Sequence, residues 1–132
     1  TITEDELKEY ASLVKYYWEK DKSKEKVVIA WDDLAEIQQN AKILKNYLSK
    51  ISIETLNTLL CFYEIGNSNL TVEKLENTYK YIVDSEFDEM YIIRKLKQKN
   101  ACLRIINGMK KCGQVTYAKQ LQAALKEEGV DF

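Results

Sequence analysis

The stretch Ala101-Cys102-Leu103-Arg104-Ile105-Ile106-Asn107-Gly108-Met109-Lys110-Lys111-Cys112-Gly113-Gln114-Val115-Thr116-Tyr117-Ala118-Lys119-Gln120-Leu121 decides the fold class. Ala101, Ile105, Ile106 and Met109 recur at the spacing of one helical face, and Gly113 stops them. Val115, Ala118 and Leu121 restart the pattern, which Ala124 and Leu125 continue as far as Gly129. Two helices joined by a glycine turn are predicted, each with one apolar face to bury, and Ile106 belongs to the predicted core.

Upstream the same periodicity repeats. Leu7, Tyr10, Ala11, Val14, Tyr17 and Trp18 predict a helix over about 4–20, opened by the capping box Thr3-x-x-Glu6. Asp21-Lys22-Ser23-Lys24-Glu25-Lys26 reads as a solvated linker. Val27-Val28-Ile29-Ala30-Trp31 is too short to found a sheet and leads into a helix capped by Asp32 or Asp33, whose stripe is Leu34, Ile37, Ala41, Leu44 and Leu48. Ser52 caps a third helix carrying Leu56, Leu59, Leu60 and Tyr63, which stops at Gly66-Asn67-Ser68-Asn69, a glycine C-cap followed by turn residues. Thr71 caps a fourth, with Leu75, Tyr79 and Ile82. Ser85-x-x-Asp88 opens a fifth, with Phe87, Tyr91, Ile92 and Leu96, and a break falls near Asn100. Strand-type alternation and internal repeats are missing.

Composition narrows the function classes. The 132 residues, 45% of them apolar, suit one core, and no apolar run reaches the roughly 20 residues of a bilayer crossing. The charged start Thr1-Ile2-Thr3-Glu4-Asp5-Glu6 is unlike a signal peptide, so a cytoplasmic domain without membrane contact is expected. There is no histidine, the commonest general base and zinc ligand, and four glycines form no phosphate-cradling loop. Cys61, Cys102 and Cys112 lack metal-ligand spacing and read as reduced, mostly buried thiols. Asp32/Asp33 and Asp88/Glu89 read as helix-start partners. No catalytic residue, metal site or cofactor is expected, and the chain reads as no enzyme. The nine tyrosines and two tryptophans fill core and interface.

Charge is dealt unevenly. Between Glu54 and Glu89 stand eight acids (Glu54, Glu64, Glu73, Glu76, Asp84, Glu86, Asp88, Glu89) against Lys74 and Lys80. From Met90 to Lys126 the balance inverts to nine bases (Arg94, Lys95, Lys97, Lys99, Arg104, Lys110, Lys111, Lys119, Lys126) and no acid. Kept on different faces, these segments give one copy an acidic and a basic side, able to meet head to tail. The alternative is a small helical regulator that binds nucleic acid through the basic 94–126 segment. A helix-turn-helix drawn across 53–83 would aim Glu73 and Glu76 at phosphates, which disfavours nucleic acid.

From Ile37 onward the order of features resembles a caspase recruitment domain, of the death-fold superfamily. Ile37-Gln38-Gln39-Asn40-Ala41-Lys42-Ile43-Leu44-Lys45-Asn46-Tyr47-Leu48 is similar to that family's first helix, with Ala41 where arginine is usual. Leu56-x-x-Leu59-Leu60 resembles the second helix, and Leu70-Thr71-Val72-Glu73-Lys74-Leu75-Glu76 the turn into the third. The 101–121 stretch resembles the fifth and sixth, although Lys99-Asn100 replaces lysine-glycine and Gly108-Met109 replaces alanine-leucine.

The resemblance implies an all-α, compact antiparallel six-helix bundle of the death-fold kind over 34–132, with an additional amphipathic helix and linker over 1–33. It implies a non-enzymatic homotypic interaction module in apoptosis or innate immunity. Its partner would be another death-fold domain, in a caspase, adaptor or receptor, or a further copy in a homo-oligomer. In that family acids on helices two and three meet bases on helices one and four. The corresponding residues are Glu54, Glu64, Glu73 and Glu76 on the acidic side, and Lys42, Lys45, Arg94, Lys95 and Lys97 on the basic side.

Overall fold

Without proline, helix ends in this chain must be set by other means, side-chain caps and glycine among them. The computed structural model describes residues 1–23, 30–67 and 72–130. Among the described residues there are seven α-helices, one 3-10 turn at Val72–Lys74, and no strand. The helices are α1 (Glu4–Ser23), α2 (Ala30–Leu48), α3 (Ile53–Asn67), α4 (Leu75–Ser85), α5 (Glu89–Leu96), α6 (Lys99–Lys111) and α7 (Val115–Glu127). The all-helical class is therefore as expected.

Several ends follow the sequence signals. The Thr3 N–H donates to Glu6 Oε1 and the Glu6 N–H to Thr3 Oγ1, both at 3.1 Å, which closes the capping box of α1. Ser52 Oγ accepts the Thr55 N–H at 3.2 Å at the start of α3. Gly113 and Gly129 adopt φ of +72° and +79°. Behind each, paired backbone bonds close the helix: Gly113 to Lys110 with Gln114 to Met109, and Gly129 to Lys126 with Val130 to Leu125.

Other ends differ, each for a local reason. The start of α5 is capped by Asp88, which accepts the Met90 N–H, whereas Ser85 donates to the Tyr81 carbonyl at the end of α4. The break expected near Asn100 falls earlier, between Leu96 and Lys99. Asp32 and Asp33 lie within α2, which already begins at Ala30. Part of the expected linker, 21–23, is helical, while 24–29 and the Thr71 cap lie outside the described residues. Helix α3 ends at Asn67, within the stretch expected to stop it, but Gly66 itself lies inside the helix. A Cβ there would overlap the Arg104 carbonyl, and one on Gly108 would overlap that of Phe62. The two glycines let the backbones of α3 and α6 touch, which explains why glycine stands at 108.

Around that crossing the core assembles. Leu56, Leu59, Phe62 and Ile65 of α3 and Cys102, Ile105, Ile106 and Met109 of α6 are buried. Leu7, Tyr10, Leu13 and Val14 of α1 join the same cluster, as do Ala118, Leu121 and Leu125 of α7. Packing of α1 is chiefly on α7, and α2 rests on α5. The Tyr10 hydroxyl donates to the Leu96 carbonyl at 2.7 Å in the interior, which ties α1 to the end of α5. The stripe expected on α2 is used unevenly: Leu44 is buried and Leu48 partly buried, whereas Leu34 and Ile37 are exposed.

Candidate interaction surface

Helix α5 is eight residues long and holds its position through buried Ile92, Ile93 and Leu96. Asp88 and Glu89 at its start and Arg94 and Lys95 at its end complement the helix dipole. With its apolar side inward, Arg94 and Tyr91 face out, and α5 separates two differently charged surfaces.

Where α5 meets α2, a groove of about 270 Å³ is lined by Ile37, Asn40, Leu44, Arg94 and Lys97. Asn40 Oδ1 accepts from Tyr17 Oη at 3.3 Å and from Lys20 Nζ at 2.7 Å, which fixes α2 to α1. Lys20 also pairs with Glu36 at 3.3 Å. Lys97 Nζ lies 4.1 Å from the centre of the Tyr17 ring. Burial, with Tyr16 adding and Arg94 opposing, pushes the Tyr17 hydroxyl up to about 12, so it remains a neutral donor at the groove wall. Lys42 and Lys45 are exposed further along α2.

Between α3, α4 and α5 lies a larger groove of about 580 Å³. Phe87 stacks on Tyr91 at 5.4 Å and meets Tyr81 edge-on at 6.4 Å. Tyr81 and Tyr91 are largely exposed. Lys95, expected on the basic face, is engaged within its own chain. Its Nζ pairs with Glu64 Oε1 at 3.4 Å and sits 5.2 Å from the Tyr63 ring centre. Arg104 covers the same ring at 3.6 Å and donates to its hydroxyl at 2.6 Å. Lys95 and Glu64 are thus brought together rather than onto opposite faces.

The remaining acids divide between the two ends of α4, an 11-residue helix. Glu73 and Glu76 are exposed at its start. Glu54 is exposed in the first turn of α3, next to Ile53, which lines a groove of about 430 Å³ at the other end of α4. Glu86, Asp88 and Glu89 line that groove together with Val83 and Phe87. These acids were part of the sequence count, yet nothing in the sequence told which end of α4 would carry the exposed apolar neighbours.

The three thiols are all shifted away from the reactive, ionised form. Burial first, then Cys112 and Glu64, push the Cys61 thiol up to about 12. Burial also pushes Cys102 up to about 12, against the Tyr10 hydrogen bond, and raises Cys112. Such thiols are poor nucleophiles. Among the described residues no group of carboxylates and thiols could hold a metal, and no helix is long and apolar enough to cross a membrane. Compared with protein-family models, curated proteins and solved structures, the chain matches none.

Proposed function

We propose that this chain is a non-enzymatic module that binds like to like, in the manner of the caspase recruitment domains it resembles. It would recruit a signalling partner bearing a death-fold domain, in apoptosis or innate immunity. The observation that carries the reading is the α2–α5 groove, where Arg94 and Lys97 stand beside exposed Ile37. Apolar anchors ringed by one sign of charge are what a protein partner of the opposite sign recognises. Lys42 and Lys45 extend the basic side, and Glu54, Glu73 and Glu76 remain as exposed acids.

Part of the basic segment is engaged within the chain: Lys95 pairs with Glu64, and Lys111 donates to the Ile65 carbonyl, which leaves fewer cations for phosphates. Sedimentation velocity at low and physiological salt tests the proposal. The chain should self-associate with rising concentration, and Arg94→Glu should weaken that association, more at low salt. Tight binding to mixed DNA and RNA at low salt, with the protein alone monomeric, would favour the nucleic-acid reading instead.

A further inference from the structure

The broad groove between α3, α4 and α5 collects polar groups that the fold leaves without partners. Lys74, Asn77, Thr78 and Tyr81 follow one another at i, i+3, i+4 and i+7, so one side of the 3-10 turn and α4 supplies a whole wall. Leu60 and Ile82 form a buried floor, and Phe87, just before α5, and Tyr91, in its first turn, close the groove. Tyr81 and Tyr91 are 66% and 50% exposed, and among the described residues their hydroxyls make no hydrogen bond. The same holds for the side chains of Asn77 and Thr78, and Lys74 has no ion-pair partner. A volume of about 580 Å³ falls in the range of small-molecule sites, which combine apolar walls with a few convergent polar groups.

The order of these groups along α4 narrows the ligand. Three rings, Tyr81, Phe87 and Tyr91, make one end. Asn77 and Thr78 come next, and Lys74 stands about 10 Å from Tyr81 by the helix rise. Among the described residues Glu64 is the one acid in the lining, and Lys95 pairs with it at 3.4 Å, so Lys74 leaves that end with one net positive charge. Ser68, Asn69, Leu70 and Thr71, which precede the turn in sequence, carry no charge to alter that balance. A planar base stacks on exposed tyrosines, sugar hydroxyls suit an amide and a threonine, and an anion suits an unpaired lysine. A ring alone would not reach Lys74, and a phosphate alone would make no use of the rings. A single unpaired cation, rather than a track of them, fits a free nucleotide better than a strand. We propose that this groove binds a nucleoside di- or triphosphate, with its base on Tyr81 and Tyr91, its ribose toward Asn77 and Thr78, and its terminal phosphate at Lys74. The site is separate from the α2–α5 groove and does not depend on like-to-like association.

Equilibrium dialysis of the full chain with ATP, adenosine and inorganic tripolyphosphate tests the site. ATP should bind more tightly than either of the other two. Tyr91→Ala should weaken ATP and adenosine alike by about fivefold or more, since base–aromatic stacking is lost. Lys74→Gln should weaken ATP and leave adenosine unchanged, and Lys8→Gln, on α1, should change neither. Circular dichroism checks folding, and Tyr81→Ala, at the more exposed ring, is the second variant should Tyr91→Ala unfold. Absence of ATP binding, ATP binding no tighter than tripolyphosphate, or an ATP affinity untouched by Tyr91→Ala, Tyr81→Ala and Lys74→Gln would overturn the proposal. So would a short single-stranded RNA that displaces ATP and binds more tightly, which would assign the groove to nucleic acid.

Discussion

Glu6 links two helix starts through one carboxylate. Its Oε1 closes the capping box of α1, and its Oε2 accepts the Ser52 N–H at 2.9 Å, at the residue that caps α3. Burial by itself would raise its pKa. Hydrogen bonds from the Ser52 N–H, the Thr55 hydroxyl, the Thr3 N–H and the Ser52 hydroxyl outweigh it and hold the carboxyl at about 2, below its ordinary 4.5. A depressed carboxylate stabilises the fold fully above the ordinary value and loses that contribution as pH falls towards 2. Since Glu6 is largely solvated, its charge is screened, and Glu6→Gln should cost about 1 kcal/mol at pH 7. Urea unfolding at pH 7 and pH 2.5 checks this. The gap between wild type and variant should narrow at the lower pH, and an equal gap at both would mean that the charge is not the cause.

Where α3 crosses α6, the controlling residues are the ones without side chains. Gly108→Ala places a methyl group against the Phe62 carbonyl, and the helix backbones must separate to admit it. The expected loss is about 3 kcal/mol, measured by chemical unfolding, because overpacking against backbone relaxes less than against a side chain. A neutral result would mean that α6 slides freely on α3. Apolar spacing alone could not foresee this crossing, since glycine reads equally well as a stop or as a close approach; it stops α6 at Gly113 and permits contact at Gly66. Helix existence and most buried faces were legible, as Ile92, Leu96, Ile105 and Leu121 illustrate, because period-3.6 spacing reports burial directly. The exposed end of α2 was not, because Leu34 and Ile37 have the spacing of a core stripe whether or not a neighbour arrives to cover them.

At the scale of the whole molecule, charge segregation could be read from the sequence, but the pairing of particular charges could not. Glu64 and Lys95 stand 31 residues apart and meet only because α3 and α5 pack together. The same dependence on packing decides the status of α1. Leu7, Tyr10, Ala11, Leu13, Val14 and Tyr17 are all buried, and they share one cluster with residues of α3, α5, α6 and α7. At about 1.5–3 kcal/mol for each large buried side chain, α1 contributes on the order of the net stability of a small domain, roughly 5–15 kcal/mol. Omitting it spares the ordering of its 20 residues, but it uncovers the apolar faces of α6 and α7 and leaves the Leu96 carbonyl without its tyrosine donor. A chain of residues 30–132 should therefore keep part of its helix by far-UV circular dichroism while losing a cooperative thermal transition. Adding residues 1–23 as a separate peptide should restore cooperativity in proportion to peptide concentration. If 30–132 unfolds cooperatively at about the midpoint of the full chain, the first helix is an appendage to a bundle that folds without it.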